Sequence, residues 1–264
     1  MNRSSSVQAL ILSLKPLGEN NSSVTLLTPL QGIVNATLYG GPKSRLRSLV
    51  SQWNAGTVWL YENPEKNQIK LSDFEVKNYH NSFSQNLFKS YAASLAAELL
   101  IKTRCAGSNE QSFALLSGFF DGMELCDEEQ SRLGLLRFLW RYLSLLGIQP
   151  QTHNCTVCGK SFLKNSFAPE AISYYNNING GFVCPSCIKN QSENGEQSDS
   201  SFFLRLNIAA VQYLCAVSVL SPSDCRRLLI DKATYNQLKE FIFFLIETNL
   251  EQKLKTIEIG VGIL

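Results

Sequence analysis

With 264 residues, 44% of them hydrophobic and 17% charged, the chain has apolar material for one large core or two modest ones, and its composition excludes wholesale disorder. Its formal charge of +2 excludes a polycation, so a nucleic-acid surface has to arise from clustering among the 24 lysines and arginines rather than from their number. The N-terminal stretch "MNRSSSVQALILSLKPLGE" reads poorly as a signal peptide and no apolar run reaches spanning length, which predicts a cytoplasmic protein whose eight cysteines are thiols or metal ligands rather than disulfides.

From Val7 to Tyr79 the pattern is short and strand-like. The runs "VQALILSL", "SSVTLLT", "GIVNATLY", "GTVWLYE" and "QIKLSDFEV" are separated by turn signals such as "KPLGENN" and "NPEKN". Five strands in so short a span predict a small barrel of the oligonucleotide-binding (OB) type, with its extra element between the third and fourth strands at roughly Ser44 to Trp53.

From Ser84 the period becomes helical. "NLFKSYAASLAAELLIKTRC", "QSFALLSGFFDGMELC" and "EEQSRLGLLRFLWRYLSLLG" read as three successive helices, the last stopped by Gly147 with Pro150 beyond. Arg137 and Arg141 lie four apart on that third helix, and the plain expectation for the pair is a solvated face. Lys189 to Ser201 is polar and low in complexity and predicts a mobile surface loop. "FLRLNIAAVQYLCAV" and "ATYNQLKEFIFFLIETNLEQKL" predict two more helices. Leu238, Phe241, Ile242 and Leu245 give the last one the stripe of a buried core helix. The fold class expected is α+β: an N-terminal five-stranded OB-type β-barrel at 1–79, then an all-helical domain at 80–264 carrying a four-cysteine zinc finger at about 153–190.

That finger rests on spacing. Cys155 and Cys158 in "HNCTVCGK" are followed, after twenty-five intervening residues, by Cys184 and Cys187 in "GGFVCPSC". Two such knuckles can bring four thiolates to tetrahedral positions about one Zn²⁺. A redox dithiol needs one pair and leaves the second without a purpose, so structural zinc ranks ahead of redox chemistry and of unoccupied thiols. Four protein ligands leave no open coordination position, so such a metal holds a fold and does not activate water. Cys105, Cys126, Cys215 and Cys225 read as small buried hydrophobes.

A catalytic motif is missing. With two histidines and no nucleophile elbow, phosphate-binding glycine loop, zincin helix or dinucleotide fingerprint, the expectation is a non-catalytic protein. The strongest feature besides the cysteines is "TLYGGPKSRLRSLV". Lys43, Arg45 and Arg47 alternate after a Gly-Gly-Pro turn, with Tyr39, Trp53, Trp59 and Tyr61 nearby in sequence, so a phosphate backbone could pass along one rim of the barrel. The plain alternative is a solvated loop with core aromatics.

The order of barrel strands, "YGGPKSRLR", a helical segment, "LRFLWRYLSLLGIQPQTHNCTVCG" and "GGFVCPSC" resembles the bacterial DNA recombination and repair mediator family RecO over nearly the whole chain. The positions that carry the resemblance are Gly41, Lys43 and Ser44, then Leu145, Leu146, Gly147 and Pro150, then Cys155 and Cys158. It implies an OB barrel that binds single- and double-stranded DNA, with Lys43, Arg45, Arg47 and Tyr39 as candidate DNA contacts, and Zn²⁺ held by Cys155, Cys158, Cys184 and Cys187. It also implies annealing of complementary strands, partnership with RecR in loading RecA onto DNA coated by single-strand-binding protein, and a nucleoid-associated location. Arg137 and Arg141 become candidates for the acidic C-terminal tail of single-strand-binding protein. A zinc-stabilised interaction or regulatory module whose barrel binds a peptide is the alternative from another class.

Overall fold

The computed structural model describes residues 3–40, 44–163, 167–193, 202–250 and 253–264. By compactness the chain divides into one unit of residues 1–135 with 252–264 and a second of residues 136–251.

The first unit opens with five strands, β1 (Ser4–Leu17), β2 (Asn21–Thr28), β3 (Gly32–Leu38), β4 (Ala55–Asn63) and β5 (Gln68–Asn78), closed in the order β1-β2-β3-β5-β4. Pairing is antiparallel except between β3 and β5, where Thr37 and Leu38 run parallel to Lys70 and Leu71. The OB-type barrel expected from the strand count is thus the observed one. Alternation explains its interior: Val24 and Leu26, Val34, Ala36 and Leu38, Val58 and Leu60, and Leu71 and Phe74 form one buried cluster, because successive side chains of a strand point to opposite faces. The short helix α1 (Arg45–Leu49) lies between β3 and β4, and Leu46, Leu49 and Val50, spaced i, i+3, i+4, pack against that cluster.

β1 departs from alternation, with Ala9 to Leu12 all buried. Ala9 and Ile11 face the barrel, whereas Leu10, paired with Leu27 on β2, faces outward and is still buried. The cause lies in α2 (Leu87–Thr103) and α3 (Asn109–Leu125): α2 contacts β1, and α3 contacts β2 and β3. Both helices start at side-chain caps, Asn86 accepting from the Lys89 N–H and Ser108 from the Gln111 N–H. In α4 (Glu128–Leu145), Asp127 Oδ1 accepts from the Gln130 N–H at 2.8 Å, and Glu128 and Glu129 set negative charge in the first turn, where it complements the helix dipole. The helix stops as its Gly147 signal predicts, in a Schellman arrangement with Ile148 N–H donating to Leu143 O and Gly147 N–H to Ser144 O.

The second unit contains a three-stranded sheet that the sequence reading missed: β6 (Ile172–Asn176) between β7 (Gly181–Val183) and β8 (Phe202–Asn207). α5 (Pro185–Glu193) follows β7, α6 (Ile208–Val219) follows β8, and then come α7 (Pro222–Cys225) and α8 (Lys232–Asn249); α9 (Lys255–Ile259) belongs to the first unit. Two expectations are corrected here. The run "FLRLN" is strand rather than the start of a helix, because it pairs with β6, and helix begins only at the Asn207 cap, whose side chain accepts from the Ala210 N–H. The predicted loop from Lys189 is helical as far as Glu193, and residues 194–201 lie outside the described residues. α8 is the buried helix expected. Its Phe241 meets Tyr175, Phe182 and Trp140 with ring centroids 5.1, 5.3 and 6.5 Å away, joining α8 to β6, β7 and α4 within this unit.

Candidate functional site

The four cysteines of the two knuckles converge. Their Sγ atoms all lie within 4.8 Å of one another, with Cys155 to Cys187 at 4.0 Å and Cys158 to Cys184 at 3.7 Å. Sulfurs placed ~2.3 Å from a zinc ion at tetrahedral corners are about 3.8 Å apart, so the cluster has the dimensions zinc requires.

Local sequence accounts for each ligand. In the first knuckle the Cys155 N–H donates to Lys160 O at 2.9 Å and the Gly159 N–H to Cys155 O at 2.9 Å, a turn closed by Gly159 at φ +71°. The second pair sits differently from a bare knuckle. Cys184 immediately precedes α5, Pro185 takes the first helical position where its missing N–H costs nothing, and Cys187 follows in the first turn. Strand β7 brings the halves together, since the Thr156 N–H donates to Phe182 O at 2.9 Å. Gly181 permits that approach: a Cβ there would lie 2.6 Å from Thr156 Cγ2 and 3.1 Å from Gln151 O. His153 offers its backbone carbonyl to the Phe162 N–H, and the metal-type cluster is composed of the cysteines alone.

The electrostatics suit thiolate ligation. Val157 and Cys184 N–H groups approach Cys155 Sγ at 3.4 and 3.3 Å, donors of the kind that stabilise metal-bound thiolates. A backbone hydrogen bond from Lys160 brings the exposed Cys158 thiol down to about 7, while burial pushes Cys184 and Cys187 up. A divalent cation would offset the cost of burying those charges, so the cluster is compatible with a zinc site. Elsewhere Cys105, Cys215 and Cys225 are buried, as small hydrophobes should be, and Cys126 is partly so.

The basic stretch after β3 is placed in part. Lys43 lies outside the described residues. Arg45 and Arg47 stand on α1, so they are not neighbours along an extended loop: two positions apart on a helix, they point to different sides. Arg45 is exposed, whereas Arg47 is half-buried and its Nη1 donates to Gly40 O at 3.3 Å. Tyr39 is exposed beside β5, where its hydroxyl accepts from Gln68 Nε2 at 2.6 Å and Lys70 Nζ lies 5.6 Å from its ring centre. Of the other aromatics, Trp53 is buried edge-on to Phe120, while Trp59 is exposed. Lys66, Gln68 and Lys70 escaped the sequence reading; the cue was their period-2 spacing on the outward face of β5 and its turn.

Arg137 departs from the solvated face expected of it. It is buried, with Nε donating to Tyr213 Oη at 2.8 Å and Nη2 to Leu228 O at 3.3 Å. Arg141 is half-buried, and its Nη2 reaches the Val217 and Leu220 carbonyls at the C-terminal end of α6. A cation there complements the helix dipole.

A closed OB barrel in one chain with a four-cysteine cluster of the dimensions zinc requires defines the class, an OB-fold protein with a pair of Cys-x-x-Cys knuckles. Similarity narrows the class. Residues 84–258 match the family "Recombination protein O C terminal". A DNA repair protein RecO from Desulforamulus reducens is 24% identical over 96% of this chain and 92% of its own length, and one from Moorella thermoacetica is 25% identical over 94% and 87%. One from Thermoanaerobacter sp. is 28% identical over 68% and 69%. The chain belongs to the RecO family of DNA repair and recombination proteins, as its motif order predicted. No helix among the described residues is long and apolar enough to cross a membrane.

Proposed function

We propose that this protein is a non-catalytic recombination mediator that binds single- and double-stranded DNA through its barrel and anneals complementary strands. With RecR it helps to load RecA onto DNA coated by single-strand-binding protein. The observation that carries the reading is the barrel itself: α1 fixes its apolar side in the barrel core and thereby turns Arg45 to solvent close in sequence to the exposed Tyr39. Cations on a small barrel supply sequence-independent phosphate contacts, and an exposed aromatic supplies a stacking surface.

In this reading Lys43, Arg45, Arg47 and Tyr39 touch DNA, and Cys155, Cys158, Cys184 and Cys187 hold one structural Zn²⁺ that shapes the C-terminal part. Arg137 and Arg141 serve the acidic, apolar-ended tail of single-strand-binding protein, Arg141 by direct contact and Arg137 by holding the wall behind it. Titration of the whole chain against a labelled single-stranded oligonucleotide at several salt concentrations tests the central claim. Each phosphate contact contributes about 0.7 to the slope of log affinity against log salt, so replacing Lys43, Arg45 and Arg47 together by alanine flattens it by up to roughly 2. Unchanged affinity and slope in that folded variant would move the DNA surface away from α1.

A further inference from the structure

The outward surface of the barrel is uneven. On β1 and β2 it is occupied, since Leu10 and Leu27 point outward and are buried, with α2 against β1 and α3 against β2 and β3. On β4 and β5 it is open: Trp59 and, beside β5, Tyr39 are 37% and 39% exposed. The register gathers particular side chains there. Tyr61 pairs with Lys70 and Asn63 with Gln68, and Lys70 lies beside Thr37 in the parallel β3–β5 pair. Residues directly opposite on neighbouring strands share a face.

Tyr39, Tyr61, Asn63, Lys66, Gln68 and Lys70 line a hollow of about 230 Å³ on this face. Two phenol rings and two ammonium groups therefore surround one depression. Tyr39 is already held in place by the Gln68 amide at 2.6 Å and by Lys70 at 5.6 Å from the ring centre. Of the nearby carboxylates, Glu65 pairs with Arg3 at 3.8 Å and Glu62 alternates away from Tyr61 and Asn63 along β4, while Asp73 pairs across from Trp59 and does not line the hollow.

We propose that this outward β3–β5–β4 face is a base-stacking subsite for single-stranded DNA, in which Tyr39 and Tyr61 receive unstacked bases while Lys66 and Lys70 hold the flanking phosphates. The proposal rests on the reading that the barrel binds DNA and adds to it a division of labour. The α1 cations meet phosphates of either form, whereas this hollow accepts only bases that a duplex keeps stacked and paired. Selectivity for single strands thus resides in the two tyrosines.

The test uses the whole chain, a labelled thymidine oligonucleotide and a duplex of the same length. Tyr61→Leu, which leaves the Tyr39 contact in place, lowers single-strand affinity about 5- to 150-fold if one base loses its platform, and leaves duplex affinity within about twofold. Lys66→Ala with Lys70→Ala lowers single-strand affinity and its salt slope. If the unmodified chain binds both probes and the tyrosine variant keeps its single-strand affinity, or loses both affinities equally, the subsite is overturned and the DNA reading stands. If the unmodified chain binds neither probe, that reading falls too. A second measurement needs no tyrosine variant. Trp59 is exposed on the same face while Trp53 and Trp140 are buried, so the oligonucleotide should quench emission that Trp59→Phe removes, and the duplex should not. Quenching that is absent, or equal with both probes, overturns the proposal.

Discussion

His80 Nε2 lies 3.0 Å from Asp121 Oδ1 while the opposite ring nitrogen, Nδ1, donates to the Trp53 carbonyl at 2.6 Å. One buried imidazole thus ties the segment before β4 to α3, stacked on Phe83 at 5.2 Å and close to Phe120 at 5.7 Å. The two partners differ in solvation, the His80 side chain being 1% exposed and that of Asp121 44%. His80→Ala opens a cavity and strands the Trp53 carbonyl, which should cost about 2–4 kcal/mol. Asp121→Ala should cost about 1 kcal/mol, because water replaces the lost partner. Urea denaturation of both variants checks the ranking, and equal losses would show that the exposed carboxylate matters more than its solvation allows.

Metal analysis of the purified chain should find about one zinc per molecule, with Cys155→Ser and Cys184→Ser each losing it. Ligation requires thiolates, and burial pushes the Cys184 and Cys187 thiols up. Zinc uptake must therefore release protons, and affinity falls as pH falls. A competition titration with a coloured chelator at two pH values reads this directly; pH-independent affinity would contradict thiolate ligation.

Glu98 links pH to the C-terminal helix. Its carboxylate accepts from the Lys255 and Thr256 N–H groups at 2.9 and 2.8 Å, at the start of α9. Burial alone would raise its pKa, but the hydrogen bonds from Thr256, Lys102 and Lys255 outweigh burial and hold it below its ordinary 4.5. The sign follows: this stabilisation is complete above the unfolded value and is lost as pH falls through the lower folded value. Hydrogen exchange at Thr256 should accelerate in that acidic window relative to the intrinsic rate, and Glu98→Gln should remove the pH dependence.

The α1 arginines should behave unequally on single-stranded DNA. Arg45 is exposed and should contribute about 0.7 to the salt slope. Arg47 is engaged with Gly40 O and should contribute less. Single alanine variants titrated at several salt concentrations separate the two, and a larger effect from Arg47 would mean that its contact to Gly40 yields to DNA.

Arg137→Ala should destabilise the second unit by about 2–3 kcal/mol, since it leaves the buried Tyr213 hydroxyl and the Leu228 carbonyl without their donor. Arg141→Ala should cost about 1 kcal/mol yet weaken binding of an acidic, apolar-ended peptide about tenfold. Thermal melting and fluorescence anisotropy distinguish the two roles; a full-affinity Arg141 variant would place the tail elsewhere.

The sequence by itself determined what depends on local period and spacing. Five short strand-like runs between turn signals specified the barrel strands, β1 included although both its faces are covered, and the 3.6-residue period specified α2 to α4. Two Cys-x-x-Cys pairs specified the four-cysteine cluster, because that spacing lets two knuckles bring their thiols together. Tertiary structure decided the rest. Whether "FLRLN" was strand or helix depended on β6, some thirty residues earlier in the chain, and local propensity cannot encode a partner. Arg137 looked solvated because its helix face is polar by composition, and the Tyr213 hydroxyl that buries it comes from α6. The hollow around Tyr39 and Lys70 exists because barrel closure sets β3 beside β5, a pairing of residues more than thirty positions apart, while the packing of α2 and α3 occupies the outward side of β1 and β2.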